Sequence, residues 1–178
     1  MGALALGIAC VCLALMNIVA QAAHYADAFH SVPLGPPTTA VGQVYAEGDH
    51  IGNLKIPALN KTLPIIEGTE ADELEKGVGH FVGSALPGEE DNCVLSAHRD
   101  TFFAELGRLE IGDQLIVETS TGTYTYEIAG IRIVDKDDRT VIVPTDHAVL
   151  TLTTCYPFRY VGSAPDRYIV SADLVARQ

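Results

Sequence analysis

The chain has 178 residues, 48% of them hydrophobic, enough for one domain with an appendage. Eleven basic residues stand against 23 acidic ones, a formal net charge of −12 at neutral pH. That balance argues against nucleic acid and anionic membrane surfaces as partners, because both attract positive charge.

Taken from the N-terminus, residues 1–26 carry no Lys, Arg, Asp or Glu, and residues 1–23 are apolar apart from Asn17 and Gln21. A helix over 1–23 would rise about 35 Å, enough to cross the hydrocarbon core of a bilayer. The expectation is an uncleaved transmembrane signal-anchor. A cleaved signal peptide is the alternative, since Ala20-Gln21-Ala22 fits an A-x-A cleavage site. Either form exports the rest of the chain. Residues 24–47 hold Pro33, Gly35, Pro36 and Pro37 and have no strong period, so they read as an extracytoplasmic linker or stalk.

A folded domain is expected over 48–178. Strands are predicted at 52–56 and at 63–67, the second on a sheet edge because it contains Pro64. Thr69 followed by Glu70, Asp72 and Glu73 predicts a short helix over 69–76. Further strands are predicted at 78–82 and 93–97, then a second short helix from Asp100 or Thr101 to Leu106. A hairpin joins 114–118 to a long arm at 123–134, and the last two strands cover 149–155 and 167–172. Eight short strands with almost no helix predict an all-β, closed or nearly closed barrel. Asp135-Lys136-Asp137-Asp138 reads as a solvated turn without the spacing of a calcium loop.

Cys155 ends the run Val149-Leu150-Thr151-Leu152-Thr153-Thr154-Cys155. Alternation sends Leu150 and Leu152 to one face and the thiol to the other, more polar one. His98 leaves the fourth strand and Arg167 opens the eighth. Thiol, imidazole and guanidinium at three strand ends suit a nucleophile, an acid/base and an oxyanion partner. Cys93 alternates with Leu95 and Ala97 and reads as a small buried apolar residue, a Cys93–Cys155 disulfide being the bland alternative. No zinc pattern is visible, and neither metal nor cofactor is expected. The competing histidines are His80, placed in the cleft as a substrate-binding residue, and His147, placed on the surface. The competing guanidiniums are Arg99 and Arg159. Thr154, beside the nucleophile, is a candidate for the substrate pocket.

Thr151-Leu152-Thr153-Thr154-Cys155 resembles the TLxTC signature of the sortase family. Asn92-Cys93-Val94-Leu95-Ser96-Ala97-His98-Arg99-Asp100-Thr101 resembles the segment bearing the family's histidine, and Tyr156-Pro157-Phe158 through Ala164-Pro165-Asp166-Arg167-Tyr168-Ile169-Val170 resembles the stretch bearing its arginine, in the manner of class D sortases. Ala97 departs from the glycine that many relatives carry there. The resemblance covers roughly residues 52–174. It implies an eight-stranded sortase-type barrel and a membrane-anchored cysteine transpeptidase with Cys155, His98 and Arg167 as its catalytic residues. Its partners would be secreted proteins ending in an LPxTG- or LPxTA-like sorting signal, cut after Thr, and an amine acceptor on the cell wall or another surface protein. The enzyme is expected to act as a monomer. The rival classes are a thiol protease, an L,D-transpeptidase and a membrane-tethered binding module. An L,D-transpeptidase keeps His and Cys close in sequence, which this chain does not, and a binding module forms no covalent adduct.

Overall fold

The computed structural model describes residues 44–178, so the expected anchor and most of the stalk lie outside the described residues. Within them, no helix is long and apolar enough to cross a membrane. The elements are β1 (His50–Ile56), β2 (Lys61–Glu67), α1 (Ala71–Leu74), β3 (Val78–His80), β4 (Asn92–Ser96), β5 (Gln114–Thr119), β6 (Gly122–Asp135), β7 (Val149–Tyr156) and β8 (Asp166–Arg177). The strands close into a barrel in the order β1-β2-β3-β4-β7-β8-β6-β5. Most contacts are antiparallel, but β2 meets β3 and β4 meets β7 in parallel.

One set of alternating side chains fills the interior. Leu54 and Ile56 from β1, Leu115 and Val117 from β5, and Leu150 and Leu152 from β7 are all buried in one cluster. Tyr126 is fully buried, and its hydroxyl accepts a hydrogen bond from the Gly88 amide at 2.7 Å. Gly88 has φ +90°, and a Cβ there would lie 2.1 Å from the Tyr124 ring, so this turn requires glycine. In β4 and β7 the alternation fades: Cys93, Val94 and Leu95 are buried, and so is Thr151 on the outer face of β7. Both faces of the parallel pair are covered, the outer one by the loop between β6 and β7.

Three local expectations need correction. First, β2 is not an edge strand, because β1 and β3 flank it. Its proline is tolerated because pairing with β3 begins only at Ile65↔Val78, leaving Pro64 matched on one side, to Asn53. Second, the helix expected over 69–76 is only Ala71–Leu74, and Thr69 does not cap it. The Gly68 amide donates to the His80 carbonyl at 2.9 Å, which holds the chain against β3 until Glu70. Third, the segment after His98 forms 3₁₀-type turns ending in Leu106–Arg108 instead of an α-helix. Phe103 and Leu106 are both buried, and a separation of three residues aligns side chains in 3₁₀ geometry. Strand β3 stops at His80, short of the expected Val82, and β8 continues past Ala172 to pair Leu174 with Tyr126.

Candidate active site

The site is assembled by register. In the antiparallel pair β7–β8, Cys155 stands directly opposite Arg167. Side chains so placed share a face, with Cβ atoms about 4.5–5.5 Å apart. On the other flank β4 runs parallel to β7, with Ser96 matched to Thr153. One residue further the Ala97 amide donates to the Thr153 carbonyl at 3.3 Å, so His98 leaves the sheet alongside the end of β7. Two neighbours of one strand thus bring together residues far apart in sequence.

Cys155, His98 and Arg167 line one cleft of about 320 Å³. Its other walls include Leu74 from α1 and Val141 and Ile142 from the β6–β7 loop. The thiol and the guanidinium are half-buried, while the imidazole is exposed at the mouth. Arg167 Nη1 donates to the carbonyls of Asp166 at 2.9 Å and Ala164 at 3.4 Å. One nitrogen of the planar fork therefore fixes the side chain, which lines the cleft. A guanidinium fixed beside the thiol has further N–H groups that suit a developing oxyanion. Both cysteines of the described domain are free thiols, so the disulfide alternative is not realised. Burial pushes the Cys93 thiol up, which leaves it inert as a nucleophile.

The remaining candidates fall elsewhere or act indirectly. Thr154 is buried on the leucine face, and its hydroxyl donates to the Ala97 carbonyl at 2.7 Å. It borders the cleft, but its visible contact ties the cysteine strand to the backbone before His98. His80 is not in the cleft. It is 2% exposed, with Nδ1 at 2.6 Å from Glu67 Oε2 and Nε2 at 2.9 Å from the Ala85 carbonyl. The substrate-binding role expected for it has no surface to act through, because the parallel β2–β3 register sets Glu67 beside it. His147 is exposed between Asp146 and Asp173, and both carboxylates raise its pKa above the ordinary histidine value. Arg159 lies with Tyr156, Phe158 and Tyr168 around a separate depression.

Arg99, a contender from sequence for the guanidinium role, is a tether. Its Nη2 donates to the carbonyls of Tyr160 at 2.8 Å and Gly162 at 3.1 Å, and its guanidinium sits 5.9 Å from the Tyr160 ring centroid. The histidine turn is thereby joined to the loop between β7 and β8. Beneath the Cys155–Arg167 pair, Tyr156 and Tyr168 stack at 6.0 Å, with Phe158 tilted against Tyr168 at 5.1 Å. These rings stiffen the strand ends that carry the site.

A family model for the sortase domain matches residues 54–175, and the chain belongs to the sortase family. Within that family its likeness is to class D. It is 55% identical over 124 residues to Sortase D of Bacillus subtilis, an alignment covering 69% of this chain and 63% of that protein. The chain thus spans less than two thirds of that relative's length. The catalytic domain of B. anthracis SrtD superposes with a TM-score of 0.65 at 45% identity, over 79% of this chain and 97% of that one. A Clostridium perfringens sortase C solved with the C-terminal cell wall sorting motif superposes with a TM-score of 0.67 at 33% identity, over 74% of this chain and 73% of that one.

Proposed function

We propose that this chain is a membrane-anchored cysteine transpeptidase that cleaves an LPxTA- or LPxTG-like sorting signal after its threonine and passes the protein to an amine. The observation that carries the reading is the placement of Cys155 opposite Arg167 in a cleft that the exposed His98 also lines. In the first half-reaction the Cys155 thiolate attacks the threonine carbonyl carbon. The carbonyl oxygen takes the negative charge, and Arg167 stabilises it. The C–N bond then breaks, and His98 gives its proton to the leaving amine. A thioester remains on Sγ. In the second half-reaction an incoming amine attacks that carbonyl, His98 takes the amine's proton, and the C–S bond breaks to release Cys155. Water competes with the amine for the same thioester, so hydrolysis is the side reaction.

The class D likeness favours an alanine after the threonine. The sortase C solved with the C-terminal cell wall sorting motif supports a C-terminal sorting peptide as donor. The apolar, uncharged residues 1–23 and the proline-bearing stalk are the grounds for a single-pass anchor with the domain outside the membrane. Full-length protein in detergent is expected to split an LPxTA peptide at the Thr–Ala bond and, given a primary amine, to make the threonyl amide. Mass spectrometry of the products locates the bond. Cleavage elsewhere, or product unaffected by amine, overturns the transpeptidase reading. Resistance to carbonate extraction from membranes, with residues 1–23 retained, is expected of the anchor. A soluble mature protein beginning at Ala23 contradicts it.

A further inference from the structure

The β6–β7 loop forms one wall of the cleft, yet residues 139–148 have neither helix nor strand before β7 begins at Val149. Ile142 is 47% exposed and Val143 42%, so burial alone does not hold these side chains in place. Val141 is buried, and the rest of the hold on this stretch is polar. Asn92, the first residue of β4, is 6% exposed. Its Nδ2 donates to the carbonyls of Val141 and Val143, each at 3.1 Å, and its Oδ1 accepts from the Thr151 hydroxyl at 2.7 Å. In an extended segment the carbonyls of residues i and i+2 point the same way, toward what would be a neighbouring strand. One carboxamide supplies both donors that such a strand would supply. Asp91 adds a second fastening, its Oδ1 accepting from the Thr145 amide at 2.7 Å.

We propose that Asn92 is a positioning residue for donor selection: by clamping Val141 and Val143 it fixes the wall of the cleft and so decides which sorting-signal side chains fit beside Cys155. Asn92 does not line that cleft; it acts through the backbone on either side of Ile142, and Val141 and Ile142 do line it. The inference rests on reading the cleft as the sorting-signal site. The Thr151 hydroxyl orients the amide, because donation into Oδ1 turns Nδ2 toward the loop. Both Nδ2 donors are used on carbonyls, so a carboxylate in this place would present oxygen to oxygen.

The informative variant is Asn92→Asp, which keeps the shape and the acceptor for Thr151 but removes both donors. In full-length protein it is expected to raise KM for an LPxTA peptide by about tenfold, the scale of one or two lost hydrogen bonds, with kcat changed less than about threefold. Preference for LPxTA over the same peptide with its leucine replaced by alanine should narrow. The rate at which iodoacetamide alkylates Cys155 should stay as in the wild type, since the strand pair beneath the thiol is untouched. Thr151→Val, which preserves shape and removes only the orienting hydroxyl, should move KM and preference in the same direction by less, and it decides the matter if Asn92→Asp fails to fold. Wild-type KM and preference in these variants, or a fall in kcat with KM unmoved, overturns the clamp while leaving the transpeptidase reading intact. Failure of the wild type itself to cleave the peptide strikes that reading first.

Discussion

Cys155→Ala is expected to leave less than about one per cent of wild-type cleavage of an LPxTA or LPxTG peptide, because among the described residues no second thiol lines the cleft. Cys93, the other thiol of the described domain, is 1% exposed and faces the barrel interior, where burial keeps it protonated. Nor should the substitution harm the fold. Cys155 is half-buried near the end of a strand whose packing rests on Leu150 and Leu152. A melting temperature near that of the wild type is therefore the expected companion result. Turnover well above one per cent, in protein free of other proteases, removes Cys155 from the mechanism.

Arg167→Lys is the second large effect, a loss of order 10²-fold or more in turnover with a smaller change in substrate binding. Arginine satisfies two demands at once. Nη1 is spent on the Asp166 and Ala164 carbonyls, and the proposed mechanism asks the rest of the rigid fork to meet the oxyanion. A lysine ammonium is a single point on a flexible stem, so meeting the carbonyls draws it away from the oxyanion. Charge alone would then survive without position. Steady-state kinetics on Arg167→Lys and Arg159→Ala separate the two arginines. A near-normal Arg167→Lys beside a crippled Arg159→Ala would shift the role to Arg159, whose surroundings are the aromatic rings of Tyr156, Phe158 and Tyr168.

Local pattern makes the nucleophile legible. The alternation Leu150-Thr151-Leu152-Thr153 states which face is core, and a cysteine on the opposite face at a strand end is conspicuous. Strand positions are legible from β-branched runs and turn residues for the same local reason. Strand order is not, because the parallel contacts of β2 with β3 and of β4 with β7 join segments separated by intervening chain. Misplacing His80 is a direct consequence. Its buried state depends on Glu67 arriving beside it in a parallel register, which no window around His80 contains. Pro64 misleads in the opposite sense: proline signals an edge, and here the edge is only the stretch from Lys61 to Pro64, which β3 does not reach, within an interior strand.

Supporting residues are less legible than the reacting ones. Thr154 stands out in the sequence for its proximity to Cys155, but its bond to the Ala97 carbonyl becomes visible only once β4 and β7 are side by side. Asn92 heads the segment that resembles the family's histidine stretch, but nothing in the sequence assigns its side chain a contact. It opens an apolar strand, where a polar residue ordinarily faces water. Only the fold shows three hydrogen bonds gathered on it.

The central claim is that Cys155 carries the donor as a thioester. Intact-mass measurement of the full-length protein, quenched in acid after mixing with an LPxTA peptide in the absence of added amine, tests it directly. A species heavier by the peptide acyl portion ending in threonine is expected, mapped to Cys155 on digestion, discharged by hydroxylamine and absent from Cys155→Ala. Peptide cleaved with no adduct at Cys155, or an adduct that persists in the alanine variant, would contradict the mechanism.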